Sequence, residues 1–327
     1  MTSRSEPGDS RPDPRLSAVI SERRQLINLS YRMLGSLAEA EDAVQETYAR
    51  WYAMSGEQQD AIESPGAWLT TVASRICLDQ LGSARARRER YVGEWIPEPL
   101  PDPAEWTGGR LGSAVVDPAD RVTLDESVSM AFLVVLDSMT PAERVAFILH
   151  DVFGYSFAEV AQILGRTPAA CRQLASSARR RIGAAKFPPT PAARQAGLVR
   201  DFKRAWEAKD ISAIIGLLDP AATVTADGGG LVPAALHPIE GAEQIARYLV
   251  DLASGLPASF AFLERTVNGQ PGLVAEIDGV TVTVFAFEVA SDQITRIWAI
   301  RNPGKLRPWI ASSSQHQPGG QPDRPAG

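Results

Sequence analysis

The chain has 327 residues, of which 44% are hydrophobic and 22% are charged. These are ordinary values for globular proteins, and they exclude a mainly disordered or collagen-like chain. No apolar stretch reaches the roughly 18 residues of a membrane-spanning helix, and the polar N-terminus has no apolar segment that could serve as a secretory signal. Two cysteines, Cys77 and Cys171, are too few for a disulfide framework or a four-cysteine zinc site. We therefore expect a cytoplasmic protein without a metal or other cofactor.

The charge is unevenly distributed along the chain. The net charge is −6, from 33 Lys and Arg against 39 Asp and Glu, and this average argues mildly against a nucleic-acid partner. Residues 85–90, however, read RARRER, and residues 166–186 hold six basic residues and no acidic one. Two basic segments in an acidic chain predict two separate DNA-contacting surfaces.

Proline and glycine divide the chain into domains. They crowd residues 93–123, and prolines interrupt the chain again over 188–191, whereas the segments between have helical patterns. We therefore predict a multidomain chain with two all-α domains, the second a helix-turn-helix, followed by an α+β domain. The predicted bounds are a disordered tail over 1–15, a first helical domain over 16–92, a linker over 93–123, a second helical domain over 124–186, an α+β domain over 192–311 and a disordered tail over 312–327.

Capping signals locate the helices of the second helical domain. Thr140 and Glu143 form one predicted capping box, and Ser156 and Glu159 form another. Gly165 is expected to end the second of these helices before a basic helix over 168–182. Two helices joined by a tight glycine-bearing turn are typical of a helix-turn-helix. One face of the basic helix carries the side chains suited to DNA: Arg172, Gln173, Ser176 and Arg180. The alternative is an ordinary helical pair with a solvated basic face.

The first helical domain shows an apolar stripe opposite a polar one. Its predicted buried stripe comprises Ala40, Val44, Thr47, Tyr48 and Trp51. Asp42, Gln45 and Glu46 lie on the opposite face, which from charge alone could simply be solvated. The next helix starts after Pro65 and has Arg75 and Asp79 on its outer side. Its predicted inner side comprises Leu69, Ala73, Ile76, Cys77 and Leu81.

The third zone changes from helical patterns to β-branched alternation. We predict helices over 192–209, 210–218 and 241–253, and strands over 223–226, 259–267, 272–277, 280–289 and 293–301. Tight turns are expected at Asn268-Gly269 and Asp278-Gly279. This order fits helices packed on a curved antiparallel sheet. If the resulting cone were an isomerase or cyclase, Asp227 and His237 would be the candidate catalytic groups.

Three stretches carry a family resemblance. GSLAEAEDAVQETY at 35–48, residues 65–90 and residues 132–182 resemble the second and fourth conserved domains of extracytoplasmic-function (group 4) sigma factors. WIPEPL at 95–100, DGGG at 227–230 and NPGKL at 302–306 resemble WLPEPL, DGGG and NPDKL motifs of the sigma-factor-J type. That type carries a fused SnoaL-like, NTF2-like C-terminal domain. The chain departs from its motifs at Ile96, Leu231 and Gly304, where leucine, a basic residue and aspartate are usual.

The resemblance implies roles for particular residues. Asp42, Gln45 and Glu46 would bind the β′ clamp of bacterial core RNA polymerase, whose β flap is a further expected partner. The −10 promoter element would be bound by Arg75, Asp79, Arg85, Arg87 and Arg88, with a flipped base received by the loop over 54–66. The −35 element would be read by Arg166, Thr167, Arg172, Gln173, Ser176 and Arg180. A regulatory contact would join the linker residues Trp95, Pro97, Glu98 and Pro99 to the cone residues Asp227, Gly228, Gly229, Gly230, Asn302, Pro303, Lys305 and Leu306. We expect Lys305 to supply a positive charge for Glu98.

The predicted function is therefore an alternative sigma factor controlled by its own C-terminal domain, and not an enzyme. Its partners would be core RNA polymerase and promoter DNA, with no membrane, and the cone could hold a small apolar ligand. Two alternatives remain. A one-component ligand-sensing regulator would bind duplex DNA without polymerase. An isomerase-like or cyclase-like enzyme fused to DNA-binding helices would turn over a substrate.

Overall fold

A computed structural model describes residues 22–88, 91–102, 128–184 and 190–313. Both predicted tails fall almost wholly outside this part of the chain, as does the linker from residue 103 onward. No described helix is both long and apolar enough to cross a membrane.

The first helical domain is built from α1 (Arg23–Leu34), α2 (Leu37–Tyr52), α3 (Gly56–Asp60) and α4 (Pro65–Arg88). Gly35 ends α1 in the left-handed conformation, at φ 72°, and Ser36 then caps the start of α2. The apolar stripe of α2 is buried as predicted, except that Tyr48 is half-buried. The segment over 54–66, predicted as a loop, contains the short helix α3, because Ser55 and Gln58 form a capping box there.

The second helical domain follows its capping signals closely. It contains α5 (Met130–Asp137), α6 (Pro141–Phe147), a π-helical turn (Ile148–Val152), α7 (Phe157–Leu164) and α8 (Pro168–Ala184). Both predicted capping boxes are formed. Gly165 is left-handed at φ 62° and ends α7. The predicted helix-turn-helix is thus α7 followed by α8.

The two helical domains share one hydrophobic core, which the sequence did not indicate. The buried Arg144 of α6 donates to the carbonyl of Met33 in α1 at 2.8 Å. Arg75 of α4 donates to the carbonyl of Gln162 in α7 at 2.9 Å. The predicted −10 helix α4 therefore packs against α6 and α7 of the second helical domain.

The third domain packs helices on a six-stranded sheet. Its helices are α9 (Ala192–Glu207), α10 (Ile211–Leu217), α11 (Ala242–Ser254) and α12 (Arg307–Ser313). Its strands are β1 (Leu218–Asp227), β2 (Ile239–Glu240), β3 (Phe260–Val267), β4 (Gln270–Ile277), β5 (Val280–Ala290) and β6 (Gln293–Ile300). The strand order is β2-β1-β6-β5-β4-β3. The α+β cone is present, with its main core between one sheet face and α9 to α11.

One feature of the predicted sheet is wrong. We expected an antiparallel sheet, but β1 and β6 pair in parallel, whereas the other neighbours are antiparallel. A parallel pair requires a long crossover, and residues 228–292, which include α11 and four strands, supply it. The turns at Asn268-Gly269 and Asp278-Gly279 have positive φ at both positions, as two-residue hairpin turns require.

The second face of the sheet is also covered. Ile96 of the linker, Met130 of α5 and Trp309 of α12 pack with Trp298 and Ile300 of β6. The helix α12 was not predicted, although all but its last two residues fall within the predicted α+β domain. The residues that follow this helix are polar, so the sequence showed no helical pattern there. The burial of Trp309 against the sheet stabilises the helix.

Candidate promoter-reading and linker-docking surfaces

The predicted polymerase surface lies on α2. Asp42, Gln45 and Glu46 are all exposed, because they occupy the face opposite the buried stripe. Glu46 forms an ion pair with Arg50 one turn later. The structure therefore presents the three residues together on one helix face.

The predicted −10 surface is only partly open. Arg75 and Asp79 are exposed on α4, but Arg75 already donates to the carbonyl of Gln162. Arg85, Arg87 and Arg88 fall in the last turns of α4, and their side chains lie outside the described part of the chain. Trp68 is half-buried and meets Trp51 edge to face at 5.3 Å between ring centroids, so it contributes to packing.

The predicted −35 surface is open on α8 and the turn before it. Arg166, Thr167, Arg172, Gln173 and Arg180 are exposed, and Ser176 is half-buried. The Thr167 hydroxyl accepts from the N–H of Ala170 at 3.2 Å and caps the helix. The Arg172 guanidinium lies 5.2 Å from the centroid of the Phe157 ring. The exposed residues place hydrogen-bonding and cationic groups on α8 and on the turn before it.

Neither cysteine is part of such a surface. Cys77 and Cys171 are both buried and reduced. Burial raises the pKa of the Cys77 thiol to about 12 and is the largest cause of the raised pKa of Cys171. A buried thiol with a raised pKa is an inert apolar group.

The linker docks on the cone through one buried carboxylate. Asp227, at the end of β1, is fully buried. Its Oδ1 accepts from the hydroxyl of Tyr91 at 2.6 Å, and its Oδ2 accepts from the N–H of Ile96 at 3.0 Å. Lys305 Nζ lies 2.6 Å from the same Oδ2 and also donates to the carbonyl of Ile96. We call Asp227, Lys305, Tyr91 and Ile96 the docking network.

Aromatic rings complete the surroundings of Lys305. Its ammonium lies 4.1 Å from the ring centroid of Trp95 and 5.4 Å from that of Tyr91. A desolvated cation over an aromatic face is attracted by the ring quadrupole. The ion pair of Lys305 is formed with Asp227, and the charge of Lys305 also acts to lower the pKa of Glu98. The sequence could not reveal this, since both carboxylates belong to the matched motifs.

Glu98 has a different role in the structure. It is buried, and its Oε2 accepts from the N–H of Leu37 at 2.8 Å and from the Ser36 hydroxyl at 3.1 Å. Burial raises the pKa of this carboxyl, and the bonds to the first turn of α2 act against that rise. A carboxylate at a helix N-terminus accepts hydrogen bonds from the free N–H groups of the first turn, and it interacts favourably with the helix dipole. The linker thereby contacts the helix that carries the predicted polymerase surface.

A second contact was not predicted. Asn268, in the β3–β4 turn, donates from Nδ2 to the Tyr31 hydroxyl of α1 at 2.9 Å, and its Oδ1 accepts from the N–H of Leu100 at 3.1 Å. Tyr31 in turn donates to the carbonyl of Glu98 at 2.7 Å. The sequence marked Asn268 only as a turn residue. Its buried side chain joins the cone, the linker and the first helical domain.

The remaining motif residues surround these contacts. Pro97 and Pro99 are buried, and Trp309 donates from Nε1 to the carbonyl of Pro99 at 2.9 Å. Asn302 donates from Nδ2 to the Tyr91 hydroxyl at 2.7 Å. Gly229 has φ 65°, and a Cβ there would lie 2.4 Å from that same Nδ2, so a side chain at this position would strain the backbone and displace Asn302. The other positions divide by exposure: Gly228 and Leu306 are buried, whereas Gly230 and Pro303 are exposed.

The two candidate catalytic groups do not meet inside the cone. Asp227 faces the docking network, and His237 is exposed on the surface. Among the described residues, the cavity inside the cone is lined by neither a carboxylate nor a histidine. The arrangement gives no proton-transfer pair of the kind that the isomerase alternative requires.

Two protein-family models match the helical regions of the chain. Residues 19–87 match the model for sigma-70 region 2, and residues 129–182 match that for sigma-70 region 4. The ECF RNA polymerase sigma factor SigJ of Mycobacterium tuberculosis is 35% identical over 312 residues, which cover 91% of this chain and 95% of that relative. The probable ECF RNA polymerase sigma factor SigI of the same organism is 34% identical over 302 residues, covering 91% and 97% of the two chains. The crystal structure of M. tuberculosis SigJ matches with a TM-score of 0.68 and 34% identity, covering 90% of this chain and 98% of that one.

Proposed function

This chain belongs to the extracytoplasmic-function RNA polymerase sigma factors, and we propose that its cone controls transcription initiation by holding the linker in the docking network. As a sigma factor, the chain binds core RNA polymerase and directs transcription from promoter DNA. The observation that carries the proposal is the buried Asp227 carboxylate, which binds Ile96 of the linker and Tyr91 just before the linker. The cytoplasm, where core polymerase works, is its proposed location.

Distance explains why docking would matter. The −10 and −35 elements lie about 25 base pairs apart, which is roughly 85 Å of duplex at 3.4 Å per base pair. In the structure α4 and α8 belong to one packed core, and Arg75 is bound to α7. Helices in direct contact lie about 8–10 Å apart, and α4 contacts α6 and α7 of the second helical domain, so the two domains lie much closer together than 85 Å. Reading both elements at once therefore requires the two helical domains to separate.

The docked linker opposes that separation. The linker connects the two helical domains in sequence. Near its start, Ile96 is bound by Asp227 of the cone, and Glu98 is bound by the first turn of α2. Asn268 adds a direct bond from the cone to α1. Release of the linker would free α1 and α2 from the cone and let the domains take promoter spacing.

The finer contacts of the active form are part of the same proposal. Asp42, Gln45 and Glu46 would bind the β′ clamp, while the second helical domain would meet the β flap. Arg75 and Asp79, with the arginines at the end of α4, would contact the −10 element. Arg172 and Gln173 would read base edges at −35, and the neighbouring cations would bind phosphates. The exposure of each of these described side chains supports the assignment.

In vitro transcription with bacterial core polymerase tests the proposal. Trp95→Ala removes an aromatic face from Lys305, and deletion of residues 302–327 removes Lys305 and Trp309 together. Both variants should alter promoter-specific transcription in the same direction, the deletion more strongly. Arg247→Ala, on the exposed face of α11, is the matched control and should transcribe like the unaltered chain.

The outcomes separate the alternatives. Equal transcription by all four proteins would refute control by the docked linker while leaving the sigma activity intact. Tight, sequence-specific binding to duplex DNA without polymerase would favour the one-component regulator.

A further inference from the structure

The π-helical turn carries a histidine that the proposed promoter contacts do not use. The Nδ1 of His150 lies 2.7 Å from the carbonyl oxygen of Tyr155. Because a carbonyl oxygen can only accept a hydrogen bond, this nitrogen carries a proton and donates. The bond fixes the orientation of the imidazole ring. The ring in turn stacks on Phe157, the first residue of α7, with 3.8 Å between ring centroids and 26° between ring planes.

Phe157 is held in two further ways. Its backbone lies between Ser156 and Glu159, which form the capping box at the start of α7. Its side chain is half-buried and packs against the core shared by the two helical domains. A ring that is held by its backbone, by the core and by His150 has few rotamers open to it. Phe157 is therefore a fixed aromatic surface beside the helix-turn-helix.

Arg172 of α8 lies over this ring. Its guanidinium carbon is 5.2 Å from the Phe157 centroid, and within the described ranges the side chain forms no hydrogen bond or ion pair. Arg179, about two helical turns later, is instead bound to Asp151 of the π-helical turn at 2.6 Å. A guanidinium that stacks on an aromatic face keeps its in-plane N–H groups available. The ring thus holds Arg172 without occupying its donors.

We propose that Phe157, held by His150, is a positioning residue that presets Arg172 for a base edge of the −35 element. This role rests on the proposed reading of that element by α8. A long arginine side chain loses rotamer freedom when it binds a base through two hydrogen bonds. A side chain already held by an aromatic ring loses less, so more of the energy of those bonds is expressed as discrimination between bases.

Transcription from a promoter library tests the positioning. The promoters carry randomised −35 bases and individual transcribed barcodes, so sequencing the RNA made by core polymerase with the full chain gives the preference at each position. Arg172→Ala identifies the position that Arg172 reads. Phe157→Leu keeps an apolar side chain but removes the ring. It should lower the preference at that same position by about two- to fivefold, the effect of an exposed cation–π contact, and leave positions that depend on Gln173 unchanged.

Further variants separate positioning from a general loss of stability. Phe157→Tyr keeps the ring and should retain the preference. Phe132→Leu removes a half-buried ring that contacts Phe147 in the same domain, and it should leave every position unchanged. The double variant Arg172→Ala with Phe157→Leu should discriminate no worse than Arg172→Ala alone, because the ring acts only through the arginine.

The histidine is tested in the same library. His150→Leu releases the Phe157 ring on one side and should give a smaller loss than Phe157→Leu, at the same −35 position. A His150→Leu chain with full preference would overturn the part of His150 in the positioning.

Three results would overturn the positioning by Phe157. A loss of preference spread equally over all −35 positions in Phe157→Leu would show a damaged helix-turn-helix instead. An unchanged preference in Phe157→Leu, when Arg172→Ala does lose discrimination, would refute the positioning and leave the proposed function standing. If Arg172→Ala itself changed no position, the proposed base reading by Arg172 would fall, and the positioning with it.

Discussion

Lys305 Nζ lies 2.6 Å from Asp227 Oδ2 although 78 residues separate them, and the aspartate side chain is wholly shielded from solvent. The pair lies at the end of the parallel ladder between β1 and β6, where Asp227 is opposite Ile300. Because the same carboxylate also receives the N–H of Ile96, the ion pair and the linker share one acceptor. Loss of either charge leaves the other buried without its counterion.

Breaking this pair should be costly. Lys305→Met should destabilise the folded chain by about 3–5 kcal/mol, the usual cost of an uncompensated buried charge, and chemical denaturation measures it. Asp292→Asn removes the carboxylate of an exposed ion pair with Arg194 and should leave the denaturation midpoint unchanged. Equal midpoints for Lys305→Met and the unaltered chain would show that the docking network contributes nothing to stability.

The turn residue Asn268 should matter through its side chain. Asn268→Gly tolerates the positive φ of 50° but removes both side-chain bonds, so it should cost about 1–3 kcal/mol by leaving buried groups unpaired. Asp278→Gly makes the matching change in an exposed turn with φ 52°. Thermal melts should show a loss for the first variant and little for the second. Similar melts would mean that the bond to Tyr31 is not stabilising.

Glu98 should give the chain a distinctive pH dependence. Burial raises the pKa of this carboxyl above its ordinary value of 4.5, so the folded chain holds the proton more tightly than the unfolded chain. Its contribution to stability is present below pH 4.5 and is lost as the pH rises through the raised pKa. Relative to the unaltered chain, Glu98→Gln should therefore gain stability as the pH rises from about 4.5. Melting curves across this range measure the difference, and parallel curves would contradict it.

The assignment of α8 to the −35 element predicts a loss of base discrimination. Arg172→Ala or Gln173→Ala should reduce the preference for the −35 sequence by about 1–3 kcal/mol if a bidentate base contact is removed. Transcription from promoters with altered −35 bases measures this preference in the presence of core polymerase. Arg204→Ala, on the exposed face of α9, is the control. An intact preference in both α8 variants would remove this helix from sequence reading.

Elements encoded by neighbouring residues could be predicted from the sequence. The capping boxes at Thr140 and Ser156 formed as expected, since each needs only residues three positions apart. Gly165 and the Asn268-Gly269 turn likewise have the backbone conformations that their residue types favour. The motifs at 227–230 and 302–306 marked the right end of the cone for the linker, although not the partner of each charge.

The sequence by itself determined the helices, the hairpin turns, the exposed basic face of α8 and the family, because caps, periodicity and motifs are local patterns. The tertiary structure alone decided that Lys305 binds Asp227, that Glu98 caps α2 and that β1 pairs with β6 in parallel. It also placed Asn268 on Tyr31, 237 residues away along the chain. Such contacts depend on how whole elements pack. The sequence does not show which carboxylate, amide or cation will be the hydrogen-bond or ion-pair partner of another. Only the burial of particular groups at particular distances selects among them, since an unpaired polar group is costly wherever water is excluded.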